Sequence, residues 1–282
     1  MLEKVFGVVI LYNPTKEVLD NISSYRKALD HLAIIDNSER LHAVQFEENE
    51  QVTFFADGEN RGISERLNQA AAFAKSRGAK WLLTMDQDSF FSEYIFDRYL
   101  NCVAVFSGRN EVAMFGVEFE STEQREDCFS EDTDNLITSG SLLNLDLFEK
   151  IGEFDINLFI DEVDFDYCIR SIRSGLRIVR FKNICMHHSL GIVHQRRSFK
   201  TFKITSRTLH PPLRLYYMVR NYLYLRDKYG AEFPAAFGIK RTDLLNRIKN
   251  RLLYGNARLE TFRYLLKAYR HYRSAKMGKY KY

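Results

Sequence analysis

Two aspartates, Asp86 and Asp88, directly follow the apolar run 81–85 of this 282-residue chain. Placing carboxylates beside a buried apolar run costs free energy unless a cation or hydrogen bonds offset their charge. Hard oxygen ligands two positions apart on a turn suit Mg²⁺ or Mn²⁺, which commonly also bind substrate phosphates. Solvated acids that cap a turn are the alternative. The D-x-D triplet by itself leaves both interpretations open.

A histidine much later in the chain, His188, could complete such a metal site. It follows a predicted strand. A lone histidine is more often a hydrogen-bonded core residue than a ligand. Together with the upstream D-x-D triplet, His188 becomes a candidate third ligand.

Four acids lie within six residues at 161–166, among apolar side chains. A carboxylate held beside a reacting hydroxyl can act as a general base. The alternative is a helix start, where the dipole favours acids and Asp166 pairs with Arg170 one turn later. That alternative explains Asp166 better than it explains Asp161 and Asp164.

Four other residues could bind an anionic or nucleotide ligand. Asp36 ends the apolar run 32–35 and could accept hydrogen bonds from a nucleobase or ribose, or form an Asx turn. Asn60 and Gly62 precede an alanine-rich segment, where a helix N-terminus would favour an anion and a structural turn is the alternative. Arg220 could grip a phosphate, unless it only forms part of a helix with charged faces.

Alternating strands and helices are predicted to position these residues. Apolar, β-branched runs predict strands, and the polar or alanine-rich segments between them predict helices. Their order predicts an α/β fold with a Rossmann-like, mostly parallel sheet. Ligands bind outside the carboxyl ends of such strands, which is where the polar candidates gather. The predicted strands are 5–11, 32–35, 52–56 and 81–85, and the predicted helices between them are 17–30 and 64–77.

The pattern is less regular after Asp88. Residues 138–141 are small, are predicted to be flexible and precede an apolar run. Gly175 is a suitable helix C-cap. The predicted elements are a helix at 94–105, a helix with its entry at 161–174, a strand at 112–119, a strand from 177–181 that ends near 187–191, and a polar loop at 121–135.

The C-terminal segment 240–282 differs in charge from the rest of the chain. It has 13 Lys and Arg against two acids, a net charge of +11, whereas residues 1–239 have 28 basic and 35 acidic residues, a net charge of −7. Apolar residues recur at helical spacing in this segment, with cations on the other face. The sequence therefore predicts a domain at 1–239 and a basic, amphipathic helical segment at 240–282, which could meet an anionic surface.

Composition excludes several classes of protein. The four cysteines form no CxxC pair, so neither a zinc ribbon nor a thioredoxin motif is indicated, and free thiols in a reducing cytoplasm are expected. No apolar run is long enough to span a bilayer. The motifs of classical dehydrogenases, P-loop NTPases, α/β-hydrolases and zincins are missing.

Taken in order, these motifs resemble family 2 glycosyltransferases of the GT-A fold, especially the bacterial rhamnosyltransferase branch. The resemblance extends over nearly the whole chain up to about residue 229. The most specific parts are TMDQDS, FID-x-VD-x-x-x-C-x-R and R-x-YY-x-x-RN. The matching segments are VVILYNP (8–14), IIDNS (34–38), NRGISERLNQA (60–70), WLLTMDQDS (81–89), ITSGSLLN (137–144), GEFDINLFIDEVDFDYCIR (152–170), HHSLG (187–191) and PPLRLYYMVRN (211–221).

The resemblance implies a role for each candidate. Asp164 aligns with the catalytic base, but Val163 stands where the common pattern has Glu, which leaves Asp161 as a rival base. Gly140 would let acceptor and sugar approach the backbone closely. The implied roles of the others are metal binding for Asp88 and His188, a place near the ribose or diphosphate for Asp86, nucleobase contact for Asp36, and donor binding for Asn60, Gly62 and Arg220.

The implied reaction is an inverting, metal-assisted displacement. It would transfer a sugar from a nucleotide-diphosphate donor to a saccharide or lipid-linked saccharide in bacterial surface polysaccharide synthesis. The implied sugar is L-rhamnose, and the implied donor is dTDP-rhamnose. Mg²⁺ or Mn²⁺ would be the cofactor. The alternatives are another donor such as UDP-galactose, or a non-catalytic nucleotide-sugar-binding protein that has the GT-A shell.

The same pattern predicts where the protein acts and what it meets. We expect a cytoplasmic protein, with a peripheral position on the inner face of the membrane as an option. The basic segment would then contact anionic lipid. Homodimerisation through that segment and a solvated helical appendage are the alternatives. Nucleic-acid binding is not expected, because the body is acidic and carries no recognised module.

Overall fold

The computed structural model describes residues 2–40, 42, 44–46, 48–119, 127–188, 193–197 and 202–281. It divides into two compact units by contacts within the chain. Unit 1 comprises Met1–Phe159 and Val163–Ser189, and unit 2 comprises Ile160–Glu162 and Leu190–Tyr282.

Unit 1 is a nine-stranded mixed sheet with helices. The sheet order is β3-β2-β1-β4-β8-β6-β9-β5, and β7 pairs with β9. The pairs among the first four strands are all parallel, and β8 runs antiparallel to both of its neighbours. The strands are β1 (Val5–Leu11), β2 (His31–Asp36), β3 (Val52–Ala56), β4 (Trp81–Asp86), β5 (Ser89–Phe91), β6 (Val112–Glu118), β7 (Ser130–Asp132), β8 (Ser141–Asn144) and β9 (Arg177–His188). The helices are α1 (Glu17–Arg26), α2 (Ile63–Ser76), α3 (Ile95–Val105), α4 (Leu145–Ile151) and α5 (Val163–Arg173).

The core of unit 1 follows from the apolar periodicity of these segments. Every residue of β1 and β2 is buried, as expected for central strands that are covered on both faces. Helix α1 buries Val18, Ile22 and Tyr25, which lie on one face at helical spacing. The predicted α/β fold with a mostly parallel, helix-flanked sheet is confirmed.

Two predictions about these elements need correction. Helix α5 begins at Val163 rather than at 161, because Asp161 and Glu162 have φ values of +64° and +65° and cannot belong to a right-handed helix. Strand β9 ends at His188, close to the end predicted near 187–191, and β5 supplies antiparallel backbone partners there. The short strand β7 lies in the predicted loop 121–135, of which residues 121–126 are outside the described part.

The described residues of unit 2 form a hairpin and three helices. Strands β10 (Val193–Arg197) and β11 (Ile204–Thr208) pair antiparallel. The helices are α6 (Pro212–Tyr229), α7 (Pro234–Tyr254) and α8 (Arg258–Arg273). The predicted basic helical segment is therefore present as α7 and α8. The compact unit that contains it also includes α6, and the domain boundary between 239 and 240 stays a prediction.

The expectation of four free thiols is wrong for two of them. Cys102 on α3 forms a disulfide with Cys128. Arg98, one helical turn before Cys102, donates a hydrogen bond of 3.1 Å to the carbonyl of Asp127 and so holds the neighbouring segment against α3. Among the described residues, Cys168 and Cys185 are free.

In the part of the chain that the structure describes, no helix combines the length and apolar character that a membrane crossing requires.

Candidate active site

The end of the central strand β4 brings three predicted metal ligands together. Asp86 is the last residue of β4, and Asp88 lies in the turn before β5. Strand β5 pairs with β9 so that Ser89 lies opposite His188. Ligand atoms of Asp86, Asp88 and His188 lie within 4.8 Å of one another, and His188 Nδ1 is 3.6 Å from Asp88 Oδ1. Two carboxylates and an imidazole at these distances fit a divalent cation.

Two buried serines, Ser89 and Ser139, form a hydrogen-bond network with this cluster. Ser89 Oγ is 2.8 Å from His188 Nδ1 and accepts a 2.8 Å hydrogen bond from Ser139 Oγ. Ser139 Oγ in turn accepts a bond of 3.1 Å from the Asp86 amide. Both serines are almost fully buried. The network links the imidazole and the backbone at Asp86, as partners of ligand side chains do when they fix ligand orientation.

Gly140 lies in the tight turn before β8. Its φ is +74°, and a Cβ there would be 2.8 Å from Met186 Sδ and 3.0 Å from Val117 Cγ2. Its amide donates a 2.8 Å hydrogen bond to the carbonyl of Thr84 on β4. The turn thus requires glycine for its own packing. The predicted approach of sugar and acceptor to Gly140 stays a prediction.

Asp36, at the carboxyl end of β2, has contacts at both oxygens. Oδ1 accepts a 2.9 Å hydrogen bond from the amide of Ser38, which forms the Asx turn considered as an alternative. Oδ2 lies 2.8 Å from His42 Nε2. His42 Nδ1 is buried without a hydrogen-bond partner. The pairing with His42 fixes the carboxylate at the sheet edge where a nucleobase is predicted to bind.

Asn60 and Gly62 form the entry to α2. Asn60 Oδ1 accepts hydrogen bonds from Asn37 Nδ2 and from the Gly62 amide, at 3.0 and 3.1 Å. Gly62 has φ +83°, and a Cβ there would be 2.5 Å from the carbonyl oxygen of Phe159. That carbonyl accepts the Ile63 amide at 2.7 Å. These contacts describe a structural turn, and anion binding at this helix start stays a prediction.

Asp164, the predicted base, lies in the first turn of α5. Its Oδ1 accepts a 2.8 Å hydrogen bond from the amide of Phe165. Asp166 is fully buried and bonds to Arg170 Nε at 2.8 Å, which is the structural pair expected for a helix start. Asp166 is therefore explained as a structural residue of the helix packing, and Asp164 keeps the role of candidate base.

Asp161, the rival base, belongs to a strained part of unit 2. Arg214 donates to Asp161 Oδ1 at 3.1 and 3.2 Å, and Oδ2 is buried without a hydrogen-bond partner. Burial raises the pKa of the Asp161 carboxyl, and the Arg214 guanidinium opposes that rise. Asn221 Nδ2 donates to the carbonyls of Ile160 and Asp161, at 2.8 and 2.9 Å, and so holds the left-handed backbone.

Arg220 lies in the interior of unit 2. It is fully buried, and its guanidinium donates to Asn221 Oδ1, to Tyr216 Oη at 3.2 Å and to the carbonyl of Gly278 at 2.7 Å. These contacts favour a structural role. The sequence alternative of a helix residue agrees with this placement better than phosphate binding does.

Sequence reasoning missed the residues that hold the candidates in place. His42, Ser139 and Asn221 contact Asp36, Asp86 and the Asp161 backbone, respectively. Ser139 and Asn221 lie within the quoted motifs TSGS and RN, so their presence there was a usable signal. His42 lies in a segment without periodicity, and nothing in the sequence pairs it with Asp36.

Comparisons with known proteins agree with this fold. No family model matches the chain. The dTDP-rhamnosyl transferase RfbF of Shigella flexneri is 26% identical over 253 residues, which cover 81% of this chain and 82% of that protein. The crystal structure of GalNAc-T7 with UDP, GalNAc and Mn²⁺ superposes with a TM-score of 0.58 at 11% identity, covering 96% of this chain.

This chain spans 56% of the length of the GalNAc-T7 structure. The structure of S. aureus TarS 1–349 with UDP-GlcNAc has a TM-score of 0.47 at 10% identity, with 99% of this chain and 93% of that one covered. The curated relative and the GalNAc-T7 fold bear out the resemblance predicted from the motifs. The chain is a glycosyltransferase with the GT-A fold, and its sequence is similar to that of a bacterial dTDP-rhamnosyl transferase.

Proposed function

We propose that the chain transfers L-rhamnose from dTDP-rhamnose to a saccharide or lipid-linked saccharide acceptor, with inversion at the anomeric carbon. The observation that carries this proposal is the convergence of Asp86, Asp88 and His188 at the end of the central strand. The rhamnosyl donor is supported by the name of the relative from Shigella flexneri, a dTDP-rhamnosyl transferase. A reaction of this kind would serve surface polysaccharide synthesis.

The three-residue cluster would hold Mn²⁺ or Mg²⁺. Mg²⁺ favours an all-oxygen octahedral shell, so the imidazole of His188 favours Mn²⁺. When bound, the metal would neutralise charge that develops on the departing diphosphate. Asp88 and Asp86 would supply the carboxylate ligands. Ser89, which contacts His188 Nδ1 at 2.8 Å, would orient the imidazole.

Asp164 would act as the general base. The acceptor hydroxyl oxygen forms a bond to the anomeric carbon while the bond from that carbon to the diphosphate oxygen breaks. The hydroxyl proton passes to the carboxylate, and the nucleoside diphosphate leaves with the bonding electron pair. One attack from the face opposite the leaving group inverts the anomeric centre. Positioning of the two substrates supplies much of the rate. Asp161 is the alternative base.

Asp36 would recognise the nucleobase through the oxygen that His42 holds. Asn60 and Gly62 would border the same edge of the sheet. A carboxylate that accepts a hydrogen bond from a base N–H reads the edge shared by thymine and uracil. This contact alone therefore does not separate dTDP from UDP donors.

Transfer assays with a panel of donors test the proposal. The protein is incubated with dTDP-rhamnose, UDP-galactose or UDP-GlcNAc, with Mn²⁺, Mg²⁺ or EDTA, and release of nucleoside diphosphate is measured. We expect turnover with dTDP-rhamnose and Mn²⁺ and loss of turnover in EDTA. Asp88→Asn should abolish turnover, whereas Asp97→Asn, an exposed acid on α3, should not change it. Preference for a UDP-sugar would contradict the donor assignment.

Thermal shift separates binding from transfer in the same samples. A ligand that binds only the folded state raises the melting temperature. dTDP with Mn²⁺ should raise the melting temperature of the wild type, and Asp88→Asn should reduce that rise. A rise that is the same with EDTA would exclude a metal-dependent diphosphate site.

A further inference from the structure

Helix α8 carries large apolar side chains on the face turned away from the rest of unit 2. They recur at spacings of three, four and three residues, which places them in one row along the helix. We call this row the outer stripe: Leu259, Phe262, Leu266 and Tyr269, which are 66, 55, 43 and 53% exposed. Among the described residues, no other helix exposes four large apolar side chains in such a row. We propose that the outer stripe and the cations beside it form a docking surface for an anionic lipid bilayer.

The opposite face of α8 is already occupied by helix α6. Thr261 and Ala268 are fully buried there. His271 Nδ1 lies 2.8 Å from Tyr216 Oη, and Tyr272 donates to Asp227. Packing within unit 2 thus accounts for one side of α8 and leaves the outer stripe unexplained. A helix that only capped α6 would need polar residues on its outer face.

The charges next to the outer stripe are positive. Helix α8 contains five Lys and Arg and one acid, Glu260. Arg263 and Arg270 are exposed and follow one position after Phe262 and Tyr269, so they lie at the border of the stripe. Lys267, also exposed, keeps its charge, since its hydrogen bond to Tyr280 raises its pKa. Apolar side chains bordered by cations are the composition of helices that lie in the membrane interface.

Charge complementarity favours an anionic bilayer over a second copy of the chain or a nucleic acid as the partner of the outer stripe. A second copy docked stripe to stripe would bring two cationic helices together, which like-charge repulsion disfavours. Nucleic acid would use the cations but would leave four apolar side chains in water. An anionic bilayer would contact both the apolar side chains and the cations, because the apolar row enters the boundary of the acyl chains while the cations meet the head groups. This inference concerns unit 2 alone and does not depend on the donor or on the reaction.

Sedimentation of the full chain with lipid vesicles tests the proposal. The vesicles are made of phosphatidylcholine alone or with about 30% phosphatidylserine, at low and at high salt. We expect the wild type to pellet with the anionic vesicles at low salt and to stay in solution with the neutral ones. Two double variants, Phe262→Ser/Leu266→Ser and Arg263→Glu/Arg270→Glu, should each lower the partition coefficient at least about tenfold.

Matched variants elsewhere control for general loss of apolar surface or of positive charge. Leu19→Ser/Val105→Ser removes exposed apolar side chains of unit 1, and Lys27→Glu/Lys150→Glu reverses exposed cations there. Both should bind vesicles as the wild type does. Because all substituted residues are exposed, circular dichroism and melting temperature should stay unchanged in every variant.

Four outcomes would overturn the proposal. One is failure to pellet at low salt, and another is equal binding by the stripe variant and the wild type. A third is a dimer, seen by light scattering, that Phe262→Ser/Leu266→Ser dissociates. The last is binding to duplex DNA without binding to vesicles.

Discussion

At the scale of single residues, two acids compete for the role of base, and their surroundings differ. Asp164 lies in the first turn of α5, where its Oδ1 accepts a hydrogen bond from the amide of Phe165. Asp161 is bonded to Arg214, and burial raises the pKa of its carboxyl. A raised pKa makes a stronger base, but an ion-paired carboxylate is held by its partner. The motif resemblance implies Asp164 as the base, and the assignment stays a proposal.

Substitution of each acid by asparagine distinguishes the two assignments. Asp164→Asn should lower kcat by about 10³-fold, because general base catalysis commonly contributes 10²- to 10⁴-fold. Donor affinity should stay within about threefold of the wild type, since the metal cluster is untouched. Asp161→Asn should reduce kcat less. The measurements are steady-state transfer rates and dTDP binding by calorimetry. A larger loss for Asp161→Asn than for Asp164→Asn would reverse the assignment.

At the scale of elements, the sequence predicts the first half of the chain better than the second. Strands β1 and β3 begin and end where predicted, because short β-branched runs are unambiguous there. Strand β9 ends close to the predicted position, but its antiparallel pairing with β5 is a long-range contact that periodicity does not report. The start of α5 was misplaced for a local reason, the left-handed backbone at Asp161 and Glu162.

The sequence likewise predicts the residue types of the candidate site but not the contacts among them. The D-x-D triplet, His188 and the acid cluster are visible in the sequence because chemistry requires those residue types. Their mutual distances are not visible, since they depend on the antiparallel pairing of Ser89 with His188. The contact between Asp36 and His42 and the bonds from Asn221 to the 160–161 backbone arise only from the fold.

Asn221 on α6 is expected to stabilise the left-handed segment. Its substitution by alanine leaves two carbonyls, those of Ile160 and Asp161, without this donor. We expect Asn221→Ala to lower the free energy of unfolding by about 2 kcal/mol, the usual cost of unsatisfied buried polar groups. Asn246→Ala, an exposed asparagine on α7, should change it by less than about 0.5 kcal/mol. Urea unfolding measures both, and equal stability of the two variants would argue against this role.

The disulfide between α3 and the segment before β7 is expected to stabilise the fold. Its cysteines are 26 residues apart in sequence. A cross-link of that span restricts the unfolded chain and contributes about 3 kcal/mol in the chain-entropy description. Reduction, or Cys102→Ser, should therefore lower the melting temperature, whereas Cys168→Ser should respond to reductant as the wild type does. A thermal scan with and without dithiothreitol decides, and an unchanged wild-type midpoint would show that the bond does not form in solution.

At the scale of the whole molecule, charge and chemistry are distributed unequally between the two units. Unit 1 contains the metal-ligand cluster and the sheet edge that holds Asp36. Unit 2 contains the cationic helices and two groups whose pKa values move in opposite directions. Burial raises the pKa of Asp161 and lowers that of His210. The pH dependence of stability therefore depends on which of these groups dominates.

We expect His210 to make the free energy of unfolding depend on pH. Burial and the nearby charges of Arg247 and Arg214 lower its pKa from 6.5 to about 4. Between these two pH values the unfolded chain binds a proton that the folded chain does not. The free energy of unfolding should therefore fall as the pH drops from about 6.5 to 4, and the contribution of His210 is fully present above 6.5. Because the ring is partly exposed, we expect a loss of about 1–2 kcal/mol rather than the full value.

His210→Gln isolates this contribution from other titrating groups. Glutamine offers an oxygen that can accept the 2.6 Å hydrogen bond from Arg247 Nη1 and does not take up a proton in this range. Urea unfolding at pH 7.5, 5.5 and 4.5 should show the wild type losing stability relative to the variant as the pH falls. Asp161 titrates in both proteins, so its opposite contribution cancels in the difference. A difference that does not change with pH would show that His210 is protonated as easily in the folded protein as in the unfolded chain.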